Sequence, residues 1–222
     1  LLLAHTWYAM GERAFREQPT VDPVAPVERN GYVTFGTANN PYKYTRETVT
    51  AWARAVAGTP GSKFMFVRPE GTTPTFTTNI RAVFASQGVS ADRVVFETVR
   101  GRHLPFYNQM DISLDTFPQT GGTTTCESLW MGVPVVGRVG DAVFERMSYS
   151  ILNNAGLGDL VGKTTDEYVD IAVRLASDPA RIGELRRTLR DRLGASPLRD
   201  ARGFATDWYA MVERAMADPV RK

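Results

Sequence analysis

Five consecutive small residues, Gly121 to Thr125, have little apolar surface to bury and form the first candidate ligand-binding segment of the chain. They lie between an apolar run at 111–115 and a helical pattern that begins near Thr123. A helix N-terminus at the carboxyl end of a strand offers free N–H groups and a positive dipole end to an anion. Gly121 and Gly122 would allow a phosphate to approach the backbone, and Thr123, Thr124 and Thr125 could add hydroxyl donors. We therefore expect a diphosphate here, while a plain turn with an N-cap remains open because neither a P-loop nor a GxGxxG spacing is present.

An acidic residue follows one helical turn after the glycines and threonines. Glu127 would place its carboxylate where it can accept hydrogen bonds from a ribose diol. A nucleoside diphosphate is the ligand that combines both features.

The elements that must position these residues alternate along the chain. Short apolar runs predict buried parallel strands at 32–37, 63–67, 93–97, 111–115 and 133–137. Helical spacing separates them at 45–58, 77–88, 104–110 and 123–132, with Thr45 able to cap the first of these helices. This alternation predicts an α/β fold with a doubly wound parallel sheet, followed after residue 140 by a mainly helical part.

Composition excludes several classes of function. The chain has 222 residues, 43% of them hydrophobic, and a formal net charge of +2 without a Lys/Arg cluster, so we expect one main core and no nucleic-acid partner. One cysteine, Cys126, and two histidines allow neither an internal disulfide nor a zinc cluster. This composition fits a reducing compartment, and we expect a cytoplasmic protein. No apolar run of about 18 residues indicates a membrane span, and the N-terminus lacks the features of an export signal.

Three long segments carry a resemblance to a known family. They are "YVTFGTANNPYK", "MDISLDTFPQTGGTTTCESLWMGVPVV" and "AGLGDLVGKTTDEYVDIAVRLASD". Together they resemble the C-terminal half of the catalytic region of the O-GlcNAc transferase and SPINDLY family, glycosyltransferase family 41, from about Gly31 to about Met216. The resemblance implies a GT-B fold, in which two Rossmann-like halves enclose a cleft. The C-terminal half holds a nucleoside-diphosphate sugar, and a protein acceptor enters the cleft.

The resemblance also implies a division of the chain. Residues 1–30 would be the tail of a preceding element and a linker, which agrees with the proline-rich, aperiodic stretch at 16–31. Residues 31–198 would form the nucleotide-sugar-binding Rossmann-like domain, and 199–222 a C-terminal helix that packs toward the N-terminal half. That missing half, often preceded by tetratricopeptide repeats, would lie upstream of Leu1.

The resemblance implies roles for individual residues near the phosphates. Lys43 matches the lysine that contacts the donor diphosphate and supports departure of the leaving group, which is reasonable because a positioned ammonium stabilises developing negative charge. A lysine after a strand is otherwise typical of a solvated surface charge. Asn40 matches a polar position that contacts the donor, and Thr123 and Thr124 match paired threonines at the diphosphate. At Gly122 the animal O-GlcNAc transferases have a histidine, so the donor is not fixed by this match.

Further matches concern the nucleoside. His103 matches a histidine near the nucleotide, and Glu127 matches an acidic residue that binds the ribose. Either Arg100 or Arg102 stands where the family has a basic residue, and the spacing does not decide between them.

The chemically notable residues outside these matches are interpreted as structural. We expect Cys126 to be a small buried thiol, and Trp52, Trp130 and Trp208 to pack on apolar helical faces. A second set comprises Asp111 and Asp115, also interpreted as structural, with Asp115 at the strand end better placed to shape a site.

The function implied is the donor-binding part of an inverting, metal-independent transferase that moves a sugar onto Ser or Thr of a protein. UDP-GlcNAc is the favoured donor, and a SPINDLY-like O-fucosyltransferase with GDP-fucose is the alternative. No cofactor or metal is expected, because Lys43 and the helix N-terminus would supply the positive charge. A hypothesis of another class is a non-catalytic nucleotide-sugar-binding module, against which the presence of both Lys43 and Glu127 argues.

Overall fold

The computed structural model describes residues 5–11 and 19–217 as one parallel sheet covered by helices. The strands are β1 Thr34–Thr37, β2 Lys63–Val67, β3 Val94–Glu97, β4 Ile112–Leu114, β5 Val135–Arg138 and β6 Val161–Gly162. Their order in the sheet is β3-β2-β1-β4-β5-β6, and every pairing is parallel. The predicted doubly wound α/β fold is therefore confirmed, with the strand order of a Rossmann fold.

Eight α-helices lie among the described residues. They are α1 Pro26–Asn30, α2 Arg46–Ala57, α3 Pro74–Ser86, α4 Thr123–Trp130, α5 Met147–Asn154, α6 Thr165–Ala176, α7 Pro179–Gly194 and α8 Ala201–Ala217. Helix α2 packs on α3 and α6, while α4 packs on α5 and α7. The predicted cap of α2 is confirmed, because the Thr45 side chain accepts a hydrogen bond from the N–H of Thr48.

The core is built around the aromatic residues of β2 and α2. Trp52, Phe64 and Phe66 are completely buried, and the rings of Trp52 and Phe64 stack with centroids 5.2 Å apart. Such rings remove large apolar areas from water and gain further from offset contact. They fix α2 on the sheet, and α2 in turn holds the loop that follows β4, because the Thr48 hydroxyl donates to the carbonyl of Phe117.

The structure differs from the sequence-based expectations in three elements. Strand β6 was not predicted, since two residues are too few to show a period. Residues Leu104–Gln109 form a 3-10 helix instead of an α-helix. Part of the expected linker is ordered: Pro26 lies in the first turn of α1, where its fixed φ suits a helix, and Ala25, Pro26 and Val27 are buried.

A buried arginine fastens this N-terminal stretch to the domain. Arg186 on α7 is 2% exposed and donates to the carbonyls of Asp22, Tyr107 and Met110 and to the side chain of Asn108. Burial lowers the pKa of Arg186 to about 10, and the charge of Asp111 opposes that change. One side chain therefore joins three stretches that are distant in the sequence.

The tryptophans follow the packing expectation in two of three cases. Trp52 and Trp130 are buried, as expected, but Trp208 is 47% exposed, so the packing interpretation of Trp208 is wrong for the described residues. Trp208 borders a cleft of about 680 Å³, also lined by Trp7, Tyr149 and Met211. Within residues 5–11 and 19–217, no helix is long and apolar enough to cross a membrane.

Candidate active site

The candidate site lies where the connections of the sheet change direction. Strand β1 pairs with β2 on one side and β4 on the other, so the chain leaves β1 toward one edge of the sheet and leaves β4 toward the other. The loops after these two strands diverge and leave a crevice at their carboxyl ends, which is where doubly wound sheets bind ligands. Loop 38–45 forms one side of the crevice and loop 115–122 the other.

Loop 115–122 is held by a buried carboxylate. Asp115 is 1% exposed, and its oxygens accept the N–H of Gly121 at 2.9 and 3.1 Å and the N–H of Thr116 at 2.9 Å. Burial raises the pKa of Asp115, while these backbone donors and the charge of Lys43 act to lower it. The earlier interpretation of Asp115 as a residue that shapes the site agrees with this arrangement.

The two glycines have different environments. A Cβ on Gly121 would lie 2.4 Å from Oγ1 of Thr125 and 2.9 Å from Oδ1 of Asp115, so this position cannot accept a side chain without rearrangement. The nearest atom to a Cβ on Gly122 is Cη2 of Trp7 at 3.7 Å. Close packing thus requires glycine at 121. Since the N–H of Gly121 is used by Asp115, it is the loop surface at Gly122 that is left for a ligand.

The three threonines also divide into different roles. The hydroxyl of Thr124 donates to Oδ1 of Asn39 at 2.9 Å, so its proton is directed into the protein. Oγ1 of Thr125 is buried without a hydrogen-bond partner among the described residues. Thr123 is exposed. Of the three threonines considered as donors, Thr123 is the exposed one, and its side chain forms a hydrogen bond with Tyr8.

Helix α4 starts without a side-chain cap at Gly122. The N–H groups of a first helical turn have no partner within the helix, so those of α4 remain available to an external acceptor. Together with the helix dipole they favour an anion at this end. An anion site at residues 121–125 stays a prediction, and the uncapped N-terminus of α4 is the backbone feature that favours it.

Lys43 reaches the same loop from the other side of the crevice. It ends a 3-10 helix, Pro41–Lys43, whose N-cap Asn40 accepts the N–H of Tyr42 with its side chain. The ammonium of Lys43 donates to the carbonyl of Thr120, with an Nζ–O distance of 3.1 Å. Partial burial lowers the pKa of Lys43, and the negative charge of Asp115 raises it. The ammonium therefore lies against the loop that leads into α4, two residues before the N-cap Gly122.

The residues expected at the nucleoside contact each other. Nε2 of His103 lies 3.0 Å from Oε2 of Glu127, and the Glu127 side chain is 13% exposed. The hydrogen bond to Glu127 raises the pKa of His103, and burial acts in the opposite direction. The two side chains form a polar pair one turn beyond the α4 N-terminus.

The remaining residues singled out from the sequence differ in their exposure to solvent. Arg100 and Arg102 both follow β3, and both are exposed. Cys126 is buried as expected, and burial raises the pKa of its thiol to about 12.

Two functional candidates, Asn39 and Tyr8, were not singled out from the sequence. Asn39 is the second residue after β1, and the sequence predicted a donor contact for its neighbour Asn40 instead. Tyr8 approaches α4 from the N-terminal segment, where burial raises the pKa of its phenol and a hydrogen bond with the Thr123 side chain lowers it. No pattern in 5–11 signals that contact. Within the described ranges, no group of three or more His, Cys, Asp or Glu residues is arranged to hold a metal.

The fold is that of a Rossmann-like domain, in which Lys43 contacts the loop that leads into α4 at the switch point of the sheet. Comparison with known proteins narrows this class. The sequence profile of glycosyl transferase family 41 matches residues 27–208, and the chain belongs to this family.

A probable UDP-N-acetylglucosamine–peptide N-acetylglucosaminyltransferase SPINDLY of Hordeum vulgare is 39% identical over 199 residues, which cover 86% of this chain and 21% of that protein. The chain therefore spans about a fifth of the length of this relative.

Solved structures agree with this assignment. A variant of the Thermobaculum terrenum O-GlcNAc transferase superposes with a TM-score of 0.83 at 28% identity, covering 96% of this chain and 40% of that one. WaaG, a glycosyltransferase involved in lipopolysaccharide biosynthesis, shares the fold with a TM-score of 0.63 at 15% identity, covering 94% of this chain and 55% of its own. The fold is that of a Rossmann-like half of a GT-B glycosyltransferase, as predicted.

Proposed function

We propose that the chain is the donor-binding part of an inverting protein O-glycosyltransferase that transfers a sugar from a nucleoside diphosphate to Ser or Thr. The observation that carries the proposal is the contact of the Lys43 ammonium with the loop that leads into the uncapped N-terminus of α4. Both stabilise negative charge, and that charge increases when a nucleoside diphosphate leaves the sugar.

The nucleoside would extend from this point along α4. Glu127 lies one turn from the phosphates, so its carboxylate can accept from the ribose hydroxyls while His103 supports it from the side. Arg100 or Arg102, Asn40, Gly122, Thr123 and Thr124 complete the proposed contact set. Gly121 and Thr125 act from within the loop, since the N–H of Gly121 is used by Asp115 and Thr125 is buried.

We favour UDP-GlcNAc as donor, which agrees with the names of the Hordeum relative and of the Thermobaculum enzyme. GDP-fucose is the second candidate, because the Hordeum relative carries the SPINDLY name and the resemblance of the sequence to that branch implied this donor. The acceptor would be a protein in the cytoplasm, presented by an upstream half and by tetratricopeptide repeats.

Calorimetry with UDP, GDP, CDP and their sugars tests the proposal. A ligand that binds only the folded chain raises its stability by RT ln(1 + [L]/Kd), which is about 2.7 kcal/mol at a hundredfold excess over Kd. We expect the nucleotides of one base to bind more tightly than the others. Their affinity should be the same in EDTA as in Mg²⁺, because Lys43 and α4 supply the positive charge. Absence of binding by every nucleotide would contradict the proposed function, and strict dependence on Mg²⁺ would contradict metal independence.

A further inference from the structure

Two buried side chains beneath the crevice, Asn39 and Asp115, connect its two loops. Building on the proposed function, we propose that Asn39 and Asp115 are positioning residues. They would hold loop 115–122 and Lys43 in the relative position that the donor phosphates require. They would act through the groups they hold, without touching the donor.

Asp115 is immobilised from several directions. Its carbonyl accepts the hydroxyl of Tyr168 at 2.9 Å and the indole N–H of Trp52 at 3.3 Å, which come from α6 and α2. Its carboxylate accepts the N–H groups of Thr116 and Gly121. Asp115 is thus held at its backbone carbonyl and at its carboxylate, and it determines the path of the loop up to Gly121.

Asn39 transmits that position to the helix. Its Nδ2 donates to Oδ1 of Asp115 at 3.1 Å, and its Oδ1 accepts the hydroxyl of Thr124 at 2.9 Å. Asn39 is 3% exposed, so these bonds form in a medium where leaving either group unpaired would be costly. The first turn of α4 is thereby tied to the loop after β1, which also carries Lys43.

The charges of Asp115 and Lys43 also connect the two loops. A carboxylate as buried as Asp115 requires hydrogen bonds and a nearby cation. The cation is Lys43, whose ammonium lies on the carbonyl of Thr120, next to Gly121. The same carboxylate thus turns an N–H of the loop inward and favours the charged lysine, while the N–H groups of the α4 first turn stay directed at the crevice.

Asp111, at the opposite end of β4, provides a matched control. It is also 1% exposed, and its carboxylate accepts two backbone N–H groups, those of Val27 and Thr34, at 2.8 Å each. It precedes β4, whereas Asp115 follows that strand at the crevice. A purely structural role for both residues predicts equal consequences of equal substitutions.

The experiment measures the affinity of the chain for UDP and GDP, and for uridine and guanosine, in wild type, Asp115→Asn and Asp111→Asn. We expect Asp115→Asn to weaken diphosphate binding about tenfold or more, as for loss of a charged hydrogen bond, with nucleoside binding unchanged. We expect Asp111→Asn to lower the melting temperature and to leave both affinities unchanged. Equal diphosphate affinity in wild type and a folded Asp115→Asn would overturn the inference and leave the proposed function standing. Absence of wild-type binding to either diphosphate would overturn both.

Asn39→Ala covers the case in which Asp115→Asn does not fold. This variant keeps the buried charge and removes the hydrogen bonds of the Asn39 side chain to Asp115 and to Thr124, so we expect the same selective loss of diphosphate affinity. A folded Asn39→Ala that binds diphosphate and nucleoside as wild type does would count against the positioning role.

Discussion

At the scale of single residues, removal of Lys43 and removal of Glu127 are expected to affect different properties of the transferase, namely turnover and binding of the nucleoside. Lys43→Ala in the complete transferase should lower turnover by about 100-fold or more and affect donor affinity less, because its charge complements the leaving diphosphate most in the transition state. Steady-state and single-turnover kinetics separate the two effects. Lys163→Ala removes an exposed lysine on α6's N-terminal side and serves as the control. A variant of Lys43 that loses affinity and retains turnover would exclude the leaving-group role.

The pair of His103 and Glu127 gives a residue-scale prediction in pH. Since Glu127 raises the folded-state pKa of His103, the pair's contribution to stability is complete below about pH 6.5 and is lost as pH rises through the raised pKa. The His103 side chain is 35% exposed, so the contribution should not exceed about 1 kcal/mol. Glu127→Gln should lower the pKa of His103, as read from its NMR titration with His103→Gln for assignment, and should weaken nucleoside binding. An unchanged titration would mean that the contact does not persist in solution.

At the scale of elements, the start of α4 offers a matched pair of glycines. Gly121→Ala should destabilise the chain by about 1 to 3 kcal/mol, because the added Cβ meets Thr125 and Asp115. Gly122→Ala should stay within about 0.5 kcal/mol of wild type, since the nearest described atom to the added Cβ, Cη2 of Trp7, is 3.7 Å away. Gly122→Val should also fold but lose diphosphate binding, because its side chain stands where the phosphate must approach. Urea unfolding and calorimetry measure these effects, and wild-type diphosphate affinity in a folded Gly122→Val would make this segment an ordinary turn.

Elements with a clear period could be predicted from the sequence, and the contacts between them could not. The run at 63–67 coincides with β2, in which four apolar residues in succession, 64–67, are buried. The Gly-Thr segment was predicted to bind an anion from local chemistry alone. The role of Asn39 could not be predicted, because its partners Asp115 and Thr124 are 76 and 85 residues away in the sequence. Only the folded sheet brings them together. For the same reason the sequence could not show that the proton of Thr124 points inward.

At the scale of the whole molecule, Arg186 is expected to stabilise the fold more than any exposed arginine. Arg186→Met should cost about 3 kcal/mol, because it removes the buried guanidinium that donates to the carbonyls of Asp22, Tyr107 and Met110. Arg187→Met is the matched control: this neighbour is 52% exposed, and its 3.7 Å ion pair with Glu28 should contribute about 0.5 kcal/mol or less. Equal unfolding free energies for the two variants would show that Arg186 does not fasten the N-terminal stretch.

The chain on its own is expected to bind a nucleoside diphosphate and to leave protein acceptors unmodified. The proposed donor contacts all lie within the described residues, whereas orientation of an acceptor hydroxyl would fall to the upstream half. Orientation of reactants can supply about 7 to 11 kcal/mol of barrier lowering, so its loss should abolish detectable transfer. Mass spectrometry of acceptor proteins, with and without the upstream half, checks this expectation. Multiple-turnover glycosylation by this chain alone would contradict it.

The strand order of the sheet also has a consequence for how the chain folds. Contacts between Lys43 and Thr120 and between Asn39 and Asp115 close loops of 77 and 76 residues, and the entropy of such closure must be overcome before either bond forms. The crevice should therefore assemble late, after β2 has paired with β1 and with β3. A donor bound across both loops would stabilise only the completed sheet, so that amide hydrogen exchange in β1 and β4 should slow together and by the same factor.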